Sequence, residues 1–109
     1  MRVELPGGGW ADLRERLLYG QARDVRVGLV ESQRDPAALV DFDLVLVRAY
    51  VEAWSVVDPD GHAVPLESPE LAPDEDVQAI VRAAMGLWNG RPDPKGTPGR
   101  SPTRRRARP

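Results

Sequence analysis

The first residues of the chain alternate between apolar and polar side chains, which is the pattern of a short β-strand. Val3 and Leu5 share one face of an extended segment, and their charged neighbours lie on the other. The Pro-Gly-Gly-Gly stretch at residues 6–9 is typical of a turn, and Trp10 resumes the apolar pattern. No Gly-Lys-Ser/Thr follows the glycines, so a phosphate-binding loop is disfavoured. The pattern predicts an N-terminal β-hairpin with the glycines at its tip and Trp10 on the returning strand.

The next apolar segment, residues 20–33, fits two kinds of element. Val25, Val27 and Leu29 alternate as they would in a strand. Val25, Leu29 and Val30 have the spacing of a helix face, and the glycine between them weakens either element. We favour a helix here and keep the strand as the alternative.

The longest apolar segment begins at Asp35-Pro36, a favourable start for a helix. The Asp35 carboxylate suits an N-cap, because it accepts a backbone N–H that has no partner, and Pro36 suits the first helical position. The helical pattern continues to about Trp54. Its wide apolar surface predicts either the central core helix or a helix that is half core and half interface. Apart from Asp43, the polar residues form one narrow stripe of Asp41, Arg48 and Glu52.

A turn follows Trp54 directly. Residues 55–57 and 62–64 have the composition of short strands, and Asp-Pro-Asp-Gly at 58–61 is typical of the turn between them. The sequence therefore predicts a short second hairpin at about 55–66. We expect the ring of Trp54 to be buried where the helix meets this hairpin.

The last apolar pattern, at residues 77–88, has helical spacing. Pro73 and three acidic residues precede it, which suits the positive end of a helix dipole, and Asn89-Gly90 is a stop signal. Together the patterns predict an α+β, mostly α, fold: a small helical domain with an N-terminal β-hairpin and a second short hairpin. We expect one globular domain over residues 1–90. The helical stripe contains Val77, Ile80, Val81, Ala84, Leu87 and Trp88.

Charge is divided unevenly along the 109 residues. Up to Asn89 there are eight arginines and sixteen acidic residues, a net charge of −8. The rest of the chain carries six arginines and Lys95 against Asp93, a net charge of +6. The Pro/Gly/Arg-rich basic tail, residues 91–109, has no large apolar residue, so it cannot offset the entropy of ordering and is predicted to be disordered.

The sequence excludes several classes of protein. No cysteine is present, which rules out disulfides, thiolate catalysis and zinc held by cysteine. Glu4 lies where a secretory signal would be apolar, and every uncharged stretch is far shorter than the ~20 residues that span a bilayer. These features fit a reducing cytoplasm and no membrane contact.

No group of side chains has the spacing of a catalytic or metal centre. His62 is the only histidine and no nucleophile motif accompanies it, so a turn residue is favoured over a catalytic base. Asp58 and Asp60 resemble the start of a calcium loop, but Pro59 separates them and the later ligands are missing. The adjacent acids at 74–76 point in different directions on a helix, so dipole complementation is favoured over metal binding. We predict a non-enzymatic protein without metal or cofactor.

The tryptophans and the C-terminal arginines remain as candidates for binding. Trp10, Trp54 and Trp88 are favoured as core residues over a protein-binding hot spot, and the acidic body does not suit base stacking. The Arg-rich run at 104–108 would give weak, salt-dependent and unspecific contact with nucleic acid. Folding back on the acidic body is an alternative role for the same run.

The order of Trp, Gly and Pro landmarks resembles a known family. Gly8 to Arg14 reads Gly-Gly-Trp-Ala-Asp-Leu-Arg, Val47 to Trp54 reads Val-Arg-Ala-Tyr-Val-Glu-Ala-Trp, and Val57 to Leu66 reads Val-Asp-Pro-Asp-Gly-His-Ala-Val-Pro-Leu. A Ser-Pro-Glu linker and a helix led by Pro-Asp-Glu-Asp follow. This pattern, over about residues 1–92, is similar to the small tail assembly chaperones of long-tailed (siphovirus-type) actinobacterial phages and prophages.

The resemblance implies a function in the cytoplasm of the host bacterium. Such chaperones bind the long, helical tape measure protein and keep it soluble until tail tube subunits polymerise around it. Many also occur as a longer, frameshifted form, which would be a further partner together with the tail tube protein; an oligomer is a further alternative. Pro94-Lys95-Gly96 is compatible with a slippery run of codons, and the coding DNA would contradict this if those codons cannot slip.

A chaperone of this kind needs an apolar groove and a soluble exterior. The apolar surfaces of 39–54 and 77–88 are candidates to line that groove, with the acidic body supplying solubility. For each candidate residue named below, a plain core position is the alternative. Other functions left open are a small virion connector or tail-completion protein, and a nucleic-acid-associated protein that uses its basic tail. The candidate partner-binding residues are Phe42, Leu46, Tyr50, Trp54, Leu87 and Trp88.

Overall fold

A computed structural model describes residues 1–90, which form three α-helices and a three-stranded antiparallel sheet. The predicted α+β class with mostly helical content is confirmed. The tail at 91–109, for which disorder is predicted, lies outside the described residues. The elements in chain order are β1 (Arg2–Glu4), β2 (Trp10–Leu13), α1 (Tyr19–Arg34), α2 (Pro36–Tyr50), β3 (Val51–Trp54), a 3₁₀ turn (Pro69–Leu71) and α3 (Asp74–Gly90).

The predicted N-terminal hairpin is present as β1 and β2. Its turn is closed by two hydrogen bonds: the amide of Leu5 donates to the Gly9 carbonyl, and the amide of Gly8 donates to the Leu5 carbonyl, both at 2.9 Å. Gly8 has a φ of 94°, a backbone conformation that residues with a Cβ rarely adopt. Trp10 begins the returning strand, where Glu4 pairs with it.

The ambiguous segment at 20–33 is helical and forms an antiparallel helical hairpin with α2. Asp35 separates the two helices, and its carboxylate accepts a hydrogen bond from the amide of Ala37 at 3.0 Å, as an N-cap does. The helices approach closely at Gly28, where an added Cβ would lie 2.9 Å from Cδ1 of Phe42. A larger residue at this position would force the ring or the helix to move.

The helix predicted to reach Trp54 ends four residues earlier, at Tyr50. Residues 51–54 instead form β3, which pairs antiparallel with β2 and completes the sheet in the order β1-β2-β3. The end of the helix is held from outside: the amide of Arg14 donates to the Tyr50 carbonyl at 2.7 Å, and its guanidinium donates to the Val51 carbonyl at 3.1 Å. Pairing with a strand distant in sequence therefore overrides the local helical pattern.

The second hairpin is present as a single β-bridge between Val57 and Ala63, closed by the turn at 58–61. Trp54 lies at the corner as expected, although a strand and not a helix leads into it. Its ring is half-buried, and its indole N–H donates to the Val64 carbonyl at 2.8 Å. This bond ties the sheet to the returning arm of the turn.

The start of α3 is tied to the N-terminal turn by a buried carboxylate. Asp76 is 4% exposed and accepts a hydrogen bond from the amide of Gly7 at 2.9 Å. Further along, the amide group of Gln78 donates to Asp43 on α2 at 3.0 Å. None of the helices within residues 1–90 combines the length and the apolar character that crossing a membrane requires.

Candidate partner-binding surface

The six residues predicted to bind a partner lie in one apolar cluster, and that cluster is the core. Phe42, Leu46 and Tyr50 are buried, with Tyr50 only 1% exposed, in a core cluster to which α1, α3 and the sheet also contribute. These three side chains are not accessible in this structure, and a role for them in partner binding stays a prediction. The other three residues, Trp54, Leu87 and Trp88, pack against the same cluster and are half-buried.

The half-buried tryptophans already have contacts within the chain. The indole N–H of Trp54 is used by the Val64 carbonyl. The guanidinium of Arg26 lies 6.0 Å from the centre of the Trp88 ring, at the outer limit of a cation–π contact. A role for Trp54, Leu87 and Trp88 in partner binding stays a prediction.

A different set of apolar side chains is exposed, on the outward side of α1. Tyr19 is 77%, Val27 48% and Val30 52% exposed. Together with Arg23 and Arg34 they occur at intervals of four, four, three and four residues, so all five lie along one side of the helix. We call Tyr19, Arg23, Val27, Val30 and Arg34 the α1 face.

The α1 face is exposed because the helix packs on the rest of the protein through its opposite side. Ala22 and Val25 are buried, and Leu29 packs against the core. This side faces α2, which is the main neighbour of α1, whereas α2 packs on both α1 and α3. The helix α1 therefore has apolar side chains on two sides, but its main neighbour, α2, covers only one of them.

A groove of about 490 Å³ lies beside the α1 face, between α1 and α2. Val27 belongs to both the face and the groove, and Gly28, Val45 and Ala49 supply further apolar lining. The rim carries both signs of charge, so the groove does not favour a strongly charged ligand. Its charged residues are Arg23, Asp24, Glu31 and Arg48.

The α1 face has the chemistry of a helix-binding surface. Apolar side chains at intervals of three and four residues match the seam along which two helices pack. Arg34 makes no ion pair within the described residues, and Arg23 has only its neighbour Asp24, with 3.6 Å between nitrogen and oxygen. Both arginines are thus open to acidic side chains of a partner helix.

Sequence reasoning missed this surface because it selected the largest apolar residues of the most apolar helix. The signal that would have found it is the interval pattern from Tyr19 to Arg34, once the segment is taken as a helix with Ala22, Val25 and Leu29 facing inward. Val27 and Val30 then necessarily fall on the other side.

Among the described residues, one group has the side chains to hold a metal ion: Asp58, Asp60 and His62, with ligand atoms within 4.8 Å of one another. Its geometry is that of a turn. One carboxylate oxygen of Asp58 accepts from the amides of Asp60 and His62, each at 2.9 Å. These hydrogen bonds, of which the one from His62 has the larger effect, hold the pKa of Asp58 below its usual value.

No protein-family model, curated protein or solved structure matches this chain. The geometry of the described residues and the sequence landmarks are therefore the two sources from which a function can be argued.

Proposed function

We propose that this protein is a phage tail assembly chaperone that binds the tape measure protein through the α1 face and keeps it soluble in the cytoplasm of the host. The observation that carries the proposal is the exposure of Tyr19, Val27 and Val30 at helix-packing intervals. The landmarks that resemble the chaperone family support it from an independent direction. No catalytic step is part of the proposed function.

The proposed mechanism is the covering of an apolar helical stripe. A long helical protein that has not yet been enclosed by its tube exposes apolar stripes, which associate with one another in water. Val27 and Val30 would pack against such a stripe, while Tyr19 contributes a large ring with a polar end. Arg23 and Arg34 would pair with acidic residues beside the stripe and fix the position of the partner helix.

The charge of the rest of the domain fits this mechanism. Residues 1–89 carry eight arginines and sixteen acidic residues, so this part of the chain would present an excess of negative charge to the solvent. Like-charged surfaces repel one another, which keeps complexes of this kind apart until assembly. The half-buried Leu87 and Trp88 remain a second candidate contact.

A pull-down with two matched variants tests the proposal. Tagged protein would be recovered from cells that produce the phage, and the proteins bound to it identified by mass spectrometry. In the first variant Val27→Glu and Val30→Glu place charge on the α1 face without lowering helix propensity, and position 30 lies four residues before Arg34, a favourable spacing. In the control variant Val57→Glu and Leu71→Glu change two exposed apolar residues elsewhere.

We expect the tape measure protein to be recovered with the wild type and the control variant, and to be lost with V27E/V30E. If the wild type recovers only nucleic acid or subunits of the finished particle, the chaperone function is wrong. If all three proteins recover the tape measure protein equally, the chaperone function stands and the α1 face is the wrong surface.

A further inference from the structure

A second groove, of about 480 Å³, lies on α2 where the 3₁₀ turn and the start of α3 meet it. We call it the acidic groove. Its lining includes the apolar side chains of Val40, Leu44 and Val77, and Val40 is 75% exposed. It shares no lining residue with the groove beside the α1 face. An apolar strip of this kind on the surface of a small protein indicates a place where another segment packs.

The charged residues that line this groove are all acidic: Asp43, Glu70 and Asp74. The nearest ion pair is weak, since Arg48 lies 3.9 Å from Glu70 and both side chains are more than half exposed. One oxygen of Asp43 accepts a hydrogen bond from Gln78, and neither Asp43 nor Asp74 has a cationic partner within residues 1–90. The groove therefore favours a segment that carries positive charge.

The chain itself contains such a segment beyond the described residues. Residues 91–109 carry six arginines and Lys95 against one acid, and four of those arginines fall within residues 104–108. Arginine stems and proline rings pack on apolar surfaces while guanidinium groups pair with carboxylates. The composition of this segment thus complements both features of the acidic groove.

The length of the tail allows it to reach the groove. The groove lies at the N-terminal end of α3, and the tail leaves from its C-terminal end, 17 residues or about 25 Å away. Residues 91–103 separate Gly90 from the arginine-rich run at 104–108. A coil of that length has an end-to-end distance of about 20 Å, and about 40 Å when extended as polyproline II. Returning along α3 therefore requires only a modest extension of the average coil, well within the fully extended length.

We propose that residues 104–109 dock in the acidic groove of the same chain, with their arginines paired to Asp43, Glu70 and Asp74. The contact is held mainly by charge, because the tail has no large apolar residue to anchor it. It is therefore sensitive to salt, and at 1 M salt, where the screening length is about 3 Å, it is lost. The proposal does not depend on the function proposed above.

A spin label on the tail of the full-length protein tests the docking. The chain has no cysteine, so Ala107→Cys creates a single attachment site for a nitroxide. Amide NMR signals would be compared between the oxidised and the reduced label. We expect the label to abolish signals of residues 40–44 and 70–78 at low salt, and to spare those of the turn at 58–62, which carries Asp58 and Asp60. Signals should return in 1 M NaCl.

Two variants, each of which removes two negative charges, distinguish docking in the groove from general electrostatic attraction between the tail and the domain. Asp43→Asn with Glu70→Gln removes two carboxylates from the groove, and the Asn side chain keeps an oxygen for the bond from Gln78. Asp41→Asn with Glu52→Gln removes two exposed carboxylates outside it. We expect the first variant to restore the groove signals and the second to leave them abolished.

Three results would overturn the proposal. The first is the absence of any signal loss, and the second is a loss spread over the whole domain that both variants weaken equally. The third comes from mixing spin-labelled protein with isotope-labelled protein that carries no label. In this mixture only the isotope-labelled protein gives signals. Loss of its groove signals would mean that the tail docks on a second copy and not on its own chain.

Discussion

The two helices of the hairpin, α1 and α2, differ sharply in how much of their surface is covered. In α2 five residues are buried and Leu46 is completely so, whereas α1 buries only Ala22 and Val25. Both helices carry apolar residues on more than one side. The difference lies in their neighbours: α2 has α1, α3 and the 3₁₀ turn around it, and α1 has chiefly α2. Stability should therefore depend on α2, and partner binding on the outward side of α1.

The largest expected difference is between a core residue of α2 and an exposed residue of α1. Leu46→Ala should lower the free energy of unfolding by about 3 kcal/mol, because it leaves a cavity at a fully buried site. Val30→Ala should change it by no more than about 0.5 kcal/mol. Urea denaturation followed by tryptophan fluorescence measures both. Equal losses for the two variants would show that α1 is covered by something in solution.

A smaller effect is expected at the buried carboxylate that ties α3 to the N-terminal turn. Asp76→Ala removes the acceptor of the Gly7 amide and should cost about 2 kcal/mol of unfolding free energy. The neighbouring Glu75→Ala, at an exposed site, should cost no more than about 0.5 kcal/mol. Chemical denaturation gives the free energies, and amide exchange at Gly7 should speed up in the first variant alone. Unchanged exchange there would contradict the role of Asp76.

The two glycines of α1 offer a comparison within a single helix. Gly28→Ala places a Cβ 2.9 Å from the ring of Phe42, and this overpacking should outweigh the gain in helix propensity by about 1 kcal/mol. Gly20→Ala meets nothing within 4 Å and should stabilise the protein by up to about 1 kcal/mol. Thermal denaturation should show melting temperatures that move in opposite directions. A stabilised G28A variant would mean that the helices are not closely packed in solution.

The smallest effect concerns an exposed ion pair of the sheet. The hydrogen bond from Arg2 holds the pKa of Asp12 below its usual value of 3.8. Because the pKa is lowered by folding, its contribution to stability is present above pH 4 and is lost as the pH falls through the lower, folded pKa. Asp12→Asn should therefore melt slightly below the wild type at pH 7 and together with it at pH 2. A difference that persists at pH 2 would indicate another cause.

Local signals in the sequence were enough to predict much of the fold. The glycine turn, the Asp35-Pro36 start of α2 and the acidic start of α3 all act through neighbouring residues, and the structure contains all three. The end of α2 was predicted wrongly because residues 51–54 continue the apolar pattern. Only pairing with β2, about 40 residues earlier in the chain, makes them a strand. Register across such a distance cannot be found in local periodicity.

The candidate surface was harder to predict than the fold. Phe42, Leu46 and Tyr50 were selected because they are large and apolar, and the same property buries them. Val27 and Val30 have nothing in their own chemistry that distinguishes them from core valines such as Val25. Their exposure arises because no element within the described residues covers the outward side of α1, which is a property of the whole arrangement.

The most direct test of the central claim is to map tape measure binding on the isotope-labelled full-length protein by NMR. Overlapping peptides from the tape measure protein encoded by the same phage would be added in turn. Our account predicts that a binding peptide shifts the amide signals of α1, foremost around Val27 and Val30, and leaves those of β1 and β2 unchanged. Shifts confined to the surroundings of Trp54, Leu87 and Trp88, with α1 unaffected, would contradict it.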